Sequence, residues 1–462
     1  MKFENIIVTN PGDSYKIIAE ITSSSSQEID DKISRARKSF SSWSNTSLQD
    51  RLHYLERVFI EIQKNKQELA TLIAREVGMP ISVCLQIDIE PGLNYMRGYL
   101  DNAALWLEPE TVFQNSLEQH QLHFEAYGVV AVSIPWNYPV SNFIWTVAQS
   151  LVVGNTVVIK HSEYSVLACQ QLEKIFNDAH FPEDVCNFIY GKGFDAGNYM
   201  IHGDIDMIWF MGSTKTGNLI YQVAGQKSIP VILELGGSAA GIVCADADLS
   251  VAIPSIYFNR FANSGQTCDG LKRLIVHSSI FDEVVHRLTD FILQKKIGSP
   301  IDLNTDIGPL VNEKQLEALR LQVDDAVAKG AKIVLGGKQP ESLQGAYFQP
   351  TILVDVASDM KVWHEEVFGP ALPVVPFDTL QEAIHLANDT IYGLGGYVYS
   401  SDHDTTIKIS KALKTGNISI NNANYVIPHD PFGGYKKSGF GRIHGKLGMQ
   451  SLCSAKLIAF KK

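Results

Sequence analysis

Tyr127-Gly-Val-Val-Ala-Val-Ser-Ile134, Asn155-Thr-Val-Val-Ile-Lys160, Asn187-Phe-Ile-Tyr190, Met207-Ile-Trp-Phe210 and Val231-Ile-Leu-Glu-Leu235 are short β-branched and apolar runs separated by stretches of helical texture. Strands alternating with helices at this spacing predict βαβ units and a parallel sheet. The pattern restarts after Leu235 with Ala239-Ala-Gly-Ile-Val243, Arg273-Leu-Ile-Val276, Lys332-Ile-Val-Leu-Gly-Gly337, Thr351-Ile-Leu-Val-Asp-Val356 and Asn417-Ile-Ser-Ile-Asn421. A second α/β unit is therefore expected to begin near Leu235. No Pro- or Ser-rich linker separates the two, which predicts closely packed units with a cleft between them.

Upstream, Ile29, Ile33, Ala36, Phe40 and Trp43 recur at steps of three and four, one apolar helix face, and Ser25 with Glu28 forms a capping box. Helical patterns continue through Leu52–Arg75 and Pro91–Leu107. From Glu108 to Phe124 the chain turns polar, with Val112, Phe113, Leu122 and Phe124 interspersed, the texture of a hairpin that leaves the main body. Near the other end, Ser454-Ala-Lys-Leu-Ile-Ala-Phe460 reads as an edge strand.

The 462 residues suffice for about three domains. Hydrophobic residues make up 45% and charged residues 19%, which excludes a disordered chain. A formal charge of −11, from 39 Lys+Arg against 50 Asp+Glu, argues against nucleic acid and anionic membranes and leaves small molecules as the expected partners. Six scattered cysteines, at 84, 169, 186, 244, 268 and 453, give neither a disulfide framework nor metal-ligand spacing, so no metal is expected. Met1–Asn10 lacks a signal-peptide pattern, and no apolar run approaches the ~18 residues of a membrane span. The expectation is a soluble cytoplasmic protein.

Two glycine-containing turns are candidates for holding a phosphate. Gly191-Lys-Gly193-Phe-Asp-Ala196 matches the glycine fingerprint of dinucleotide-binding folds. Gly212-Ser213-Thr-Lys-Thr-Gly217 follows an apolar strand and opens a helix, where free N–H groups, the helix dipole and the Ser213 hydroxyl can receive an anion. Cys268 lies in the small, polar stretch Asn263-Ser-Gly-Gln-Thr-Cys268-Asp-Gly270, unlike the apolar settings of the other cysteines, and is the candidate nucleophile. Glu234, a lone carboxylate between Val231-Ile-Leu and Leu235-Gly-Gly, is a candidate general base whose pKa burial would raise. In Ile134-Pro-Trp-Asn137-Tyr-Pro139, rigid neighbours frame an amide suited to holding an oxyanion.

The ordered set of Pro-Trp-Asn-Tyr-Pro139, Ile-Lys-His-Ser-Glu163, Gly-Ser-Thr-Lys-Thr-Gly217, Glu-Leu-Gly-Gly237, Gly-Gln-Thr-Cys268, Glu-Glu-Val-Phe-Gly-Pro370 and Pro431–Arg442 closely resembles the NAD(P)-dependent aldehyde dehydrogenase superfamily. Within it, Glu234-Leu-Gly-Gly-Ser238, the short N-terminus and Lys160-His161 resemble the bacterial succinate-semialdehyde dehydrogenase type. The resemblance implies Cys268 as nucleophile, Glu234 as base and Asn137 as oxyanion donor. It implies cofactor contacts at Trp136, Gly212, Ser213, Gly217 and Leu235, with Lys160 and Glu163 at the adenosine ribose and Glu366 and Phe368 at the nicotinamide ribose, placing the phosphates at Gly212 and Gly217 rather than at Gly191–Ala196. Tyr138, Trp145, Val426 and Phe432 match positions lining a substrate tunnel.

The implied architecture is two doubly wound parallel-sheet domains plus a small β oligomerisation arm. Residues 1–107 with 127–235 form the cofactor domain, 236–435 the catalytic domain, and 108–126 with 436–462 the arm of a homodimer or homotetramer. The implied reaction oxidises an aldehyde to an acid through a cysteine thiohemiacetal and thioester. A carboxylate at Glu163 suits the free ribose hydroxyls of NAD better than the 2′-phosphate of NADP. The expected substrate is a semialdehyde such as succinate semialdehyde. Ala262, however, stands where relatives specific for it often carry an Arg, leaving Arg97, Arg260 or His429 as candidate substitutes. A broad-specificity aliphatic or aromatic aldehyde dehydrogenase and a non-redox cysteine esterase are the alternatives.

Overall fold

The computed structural model describes all 462 residues. The chain begins with a hairpin of β1 (Ile6–Asn10) and β2 (Lys16–Ile21), followed by the helices Ser26–Asn45, Leu48–Glu76 and Glu90–Trp106. At the first helix, Ser25 accepts from the Glu28 N–H at 3.3 Å while the Glu28 carboxylate accepts from the Ser25 N–H at 2.6 Å, completing the capping box. The expected hairpin follows as β3 (Glu110–Gln114) and β4 (Glu118–Ala126).

Next, β5 (Val129–Ile134), β6 (Thr156–His161), β7 (Cys186–Ile189), β8 (Met207–Met211) and β9 (Val231–Glu234) alternate with helices, as read from the sequence. Along them Val130, Val132, Val157, Ile159 and Trp209 enter one apolar cluster, while Val129, Ala131, Val158 and Ile208 enter another on the opposite face. Both faces are covered by helices, which is why these strands read as unbroken apolar runs. The sheet order is β7-β6-β5-β8-β9, all parallel. Because the chain winds outward from β5 in one direction and then from β8 in the other, a crevice opens at their carboxyl ends.

Leu235-Gly-Gly-Ser238 leads directly into the second sheet: β10 (Ala239–Val243), β11 (Leu271–His277), β12 (Lys332–Leu335), β13 (Thr351–Val354), β14 (Ala371–Phe377), β15 (Gly396–Tyr399) and β16 (Ser419–Ile420). Their order is β12-β13-β14-β11-β10-β15-β16, parallel except for β12 at the edge. The sequence reading passed over three pieces. In β14, Pro373 and Pro376 lack N–H donors, the usual mark against a strand, yet the run pairs in parallel with both neighbours. At β15, Gly393 and Gly395 just before the strand and Gly396 as its first residue read as loop. The β1–β2 hairpin lies ahead of the first helix pattern and is marked in the sequence only by its Pro11-Gly-Asp13 turn.

Two last strands close the fold. β17 (Gly439–Phe440) adds antiparallel to β9, and β18 (Cys453–Lys461) pairs along β4 in a three-stranded antiparallel sheet with β3. The architecture is α/β, two doubly wound sheets with a small β arm. No helix is long and apolar enough to cross a membrane.

Candidate active site

A cavity of about 1160 Å³ lies between the two sheets. Residues 135–138, 211–213 and 234–236 reach it from the carboxyl ends of β5, β8 and β9. Residues 267–269, 366 and 368 reach it from the segments entering β11 and β14. The cavity brings together Cys268, Glu234 and Asn137 with Trp136, Gly212, Ser213, Leu235, Glu366, Phe368, Tyr138, Trp145, Val426 and Phe432. Lys160, Glu163 and Gly217 stand outside its wall.

A strained turn presents the thiol. After the helix Leu249–Phe261, Asn263 (φ 49°), Ser264 (φ 54°) and Gly265 (φ 74°) are successively left-handed, a conformation costing about 1–3 kcal/mol at each non-glycine position. The surroundings hold it in place. Asn263 Nδ2 donates to the Asn137 carbonyl at 2.8 Å, and Ser264 Oγ donates to Gly308 O at 2.8 Å. A Cβ at Gly265 would lie 2.4 Å from Gly369 O, so only glycine fits. Cys268 emerges half-buried, its Sγ 3.9 Å from Asp269 Oδ1. Burial and then Asp269 push its thiol up, while Lys272 acts in the opposite sense. The other five cysteines form no disulfide.

Asn137 sits in the loop between β5 and a helix that Pro139 opens. The buried Asp88 carboxylate anchors that helix by accepting from the Val140 and Ser141 N–H groups at 3.2 and 2.7 Å. Asn137 Nδ2 donates one hydrogen to Gln266 O at 3.0 Å, and an amide nitrogen has a second to offer. The Cys268 N–H is engaged by no other group of the chain. Glu234 ends β9 with both carboxylate oxygens buried and unpartnered. Burial raises its pKa well above the usual carboxylate range, with Arg442 opposing and Asp269 reinforcing the rise.

The residues around Gly212 fit a dinucleotide. A Cβ at Gly212 would meet the Phe210 ring at 2.6 Å, and one at Gly217 would meet Leu235 Cδ2 at 2.4 Å, so the helix Thr214–Lys227 packs where only hydrogen fits. The Ser213, Thr214 and Lys215 N–H groups have no acceptor within the chain and form an anion-receptive helix start. The Ser213 hydroxyl, by contrast, caps the helix by accepting from the Thr216 N–H at 3.3 Å. Lys160 Nζ pairs with Glu163 at 3.1 Å. The Gly191–Ala196 fingerprint packs beside that lysine: a Cβ at Gly193 would be 3.7 Å from Lys160 Nζ. It opens a helical turn of its own, Gly193–Gly197, and is not at the start of the helix Thr214–Lys227. Glu366 accepts from the Gly237 N–H at 3.0 Å, and Phe368 meets Trp136 edge-on, centroids 5.7 Å apart.

Toward the second sheet the wall is aromatic. Tyr138 OH shares a hydrogen bond with Thr267 Oγ1 at 2.7 Å, and Trp145 packs edge-on against Tyr95. Tyr425 OH donates to Asp269 Oδ2 at 2.8 Å, and Tyr397 OH donates to the Asp269 carbonyl at 3.0 Å. No lysine or arginine lines the cavity. Arg97 is paired with Glu56, Arg260 donates to the Val367 and Gly369 carbonyls, and His429 lies against Trp106. Ala262 does line the wall. A distal carboxylate, the feature expected of a succinate-semialdehyde substrate, therefore finds no cation there.

Sequence reasoning missed Asp269, Lys272, Tyr397 and Tyr425. The available signal was two charges, Asp269 and Lys272, within four residues after the singled-out cysteine. No group of three or more His, Cys, Asp or Glu is placed to hold a metal ion.

The aldehyde dehydrogenase family profile matches residues 2–458. The chain is 35% identical to a peroxisomal aminoaldehyde dehydrogenase 2 of Pisum sativum, over 98% of this chain and 92% of that one. It is 34% identical to a chloroplastic betaine aldehyde dehydrogenase of Beta vulgaris, over 99% and 93%. The solved NAD+ complex of an aldehyde dehydrogenase from Bacillus cereus superimposes with a TM-score of 0.94 at 32% identity, covering 99% of this chain and 93% of that one.

Proposed function

The chain belongs to the aldehyde dehydrogenase family, and on that premise we propose that Cys268, Glu234 and Asn137 oxidise an aldehyde to its carboxylic acid with NAD. The observation that carries the reading is the convergence of these three side chains on one cavity that the anion-receptive Gly212–Ser213 turn also lines. Cys268 Sγ adds to the carbonyl carbon, and the oxyanion is held by the free Asn137 Nδ2 hydrogen and the Cys268 N–H. When bound, NAD supplies the hydride acceptor. The thioester then left on Cys268 is opened by a water that gives its proton to Glu234, releasing the acid and the thiolate. Trp136, Gly212, Ser213, Gly217, Leu235, Glu366 and Phe368 would hold the cofactor, with Lys160 and Glu163 at its adenosine ribose. The Glu163 carboxylate favours NAD over NADP.

The substrate reading departs from succinate semialdehyde. A belt of aromatic rings with no lysine or arginine in the wall suits a neutral or cationic aldehyde. The names of the pea and beet relatives agree with this. Residues 1–107 with 127–235 act as the cofactor domain and 236–435 as the catalytic domain. Residues 108–126 with the β18 end of 436–462 act as the arm of a homodimer or homotetramer, while β17 in the same span joins the cofactor-domain sheet beside β9; the arm reading is supported by the open edges of β3 and β18 and the exposed Val112, Phe113, Leu457 and Phe460. Cysteines without disulfides agree with a reducing, cytoplasmic setting.

An NAD-reduction screen over short aliphatic, aromatic, aminated and carboxylated aldehydes tests the proposal. The expected order places neutral or aminated aldehydes above carboxylated ones in kcat/KM. A preference for succinate semialdehyde would overturn the substrate reading, and no NADH from any aldehyde would overturn the activity.

A further inference from the structure

Lys272 is the second residue of β11, and its side chain is completely buried. Its ammonium has three hydrogens and three acceptors: Gly237 O at 2.9 Å, Cys268 O at 3.1 Å and Glu366 Oε1. It also lies 5.1 Å from the centre of the Phe368 ring. One cation thus touches the nucleophile's own backbone, the turn joining the two sheets, and both residues proposed to meet the nicotinamide end of the cofactor.

The surrounding backbone is shaped to this pair. A Cβ at Gly236 would lie 2.2 Å from Glu366 Oε2, and one at Gly237 would lie 2.5 Å from Cys268 O. Any side chain at either glycine would displace the carboxylate or the cysteine loop. Arg260 holds the same segment from the other side through the Val367 and Gly369 carbonyls. Burial alone drives the Lys272 ammonium toward neutrality, and Glu366 opposes this.

We infer that Lys272 is a positioning residue for the oxidation, fixing Glu366, the Gly237 turn and the Cys268 loop as one unit so that the cofactor's reacting end and the sulfur stay in register. The inference rests on the reading in which Cys268 is the nucleophile and Glu366 meets the cofactor. Beyond burial, the acidic side chains of Asp269, Glu234 and Glu366 push the thiol up, and Lys272 is the one group beside it that pushes it down. Removing Lys272 should therefore make the thiolate harder to form, and neutralising Glu366 should make it easier.

The test uses full-length Lys272→Met, Lys272→Arg and Glu366→Gln enzymes. Steady-state kinetics give KM for NAD and kcat, and the pH dependence of Cys268 alkylation by iodoacetamide without cofactor reads the thiol. Lys272→Met is expected to raise KM for NAD and lower kcat at least tenfold, and to move alkylation to higher pH. Glu366→Gln should move alkylation to lower pH, and Lys272→Arg should keep the wild-type alkylation profile while recovering part of kcat. A simple loss of packing would not shift the two profiles in opposite directions. Wild-type alkylation profiles in both Lys272→Met and Glu366→Gln, or shifts of the same sign, would overturn the inference. Should Lys272→Met fail to fold, an unshifted Glu366→Gln profile overturns it alone. Failure of the wild-type enzyme to form NADH from any aldehyde is a separate result, counting against the activity.

Discussion

Truncating Asn137 to Ala isolates the oxyanion donor. The side chain offers two N–H hydrogens, of which one is used on Gln266 O at 3.0 Å, so the variant removes one free donor from the cavity. Removing one such donor costs about 2.7–4 kcal/mol in the transition state, and at about 1.36 kcal/mol per decade kcat should fall roughly 10²–10³-fold. The turn carrying Cys268 should survive, because Asn263 holds it through the Asn137 backbone carbonyl rather than the side chain. Stability should drop by about 1–3 kcal/mol, since the buried Gln266 carbonyl loses a donor, and a thermal melt separates that loss from the kinetic one. NADH formation at saturating aldehyde gives kcat, and KM for NAD should stay within about twofold. Asn137→Asp, which puts an anion where the oxyanion forms, should be slower than Asn137→Ala. A kcat within threefold of wild type in the folded Ala variant would refute the role.

Glu234→Gln removes the base but leaves the thiol, so the first turnover should still give a burst of NADH while steady-state turnover falls about 10²–10⁴-fold. Because burial raises the Glu234 pKa, its proton is held to higher pH and the base is gained only as pH rises. Wild-type turnover should therefore climb with pH above the usual carboxylate range, and a Gln variant keeping the same limb would contradict the assignment. Glu163→Gln should raise kcat/KM for NADP relative to NAD by relieving repulsion of a 2′-phosphate, and an unchanged ratio would remove Glu163 from cofactor choice. Ala262→Arg places a cation in a wall that has none and should increase turnover of carboxylated aldehydes relative to neutral ones. No change in that ratio would show that charge in the tunnel does not set specificity.

What the sequence made legible follows from where the physics is local. Strands β5 to β9 stood out because burial on both faces leaves them uninterrupted apolar runs, and the Ser25–Glu28 box marked a helix start within four residues. β14 was hidden because Pro373 and Pro376 argue against a strand whatever their neighbours supply. The site was legible as chemistry before it was legible as geometry. Cys268, Glu234 and Asn137 each stood in a turn of unusual composition, but the bond from Asn137 to Gln266 spans 129 positions, which no spacing rule reaches. Lys272 was lost for the same reason. Its burial depends on Glu366, 94 positions away, and in isolation it reads as the polar start of a strand.

The most direct measurement compares NADH formation by wild-type enzyme and by Cys268→Ala on the same aldehyde and the same NAD concentration, with circular dichroism showing both folded. The wild type should produce NADH steadily and the variant none above background. A Cys268→Ala enzyme that reduced NAD at a rate comparable to wild type would contradict the role of Cys268 as nucleophile.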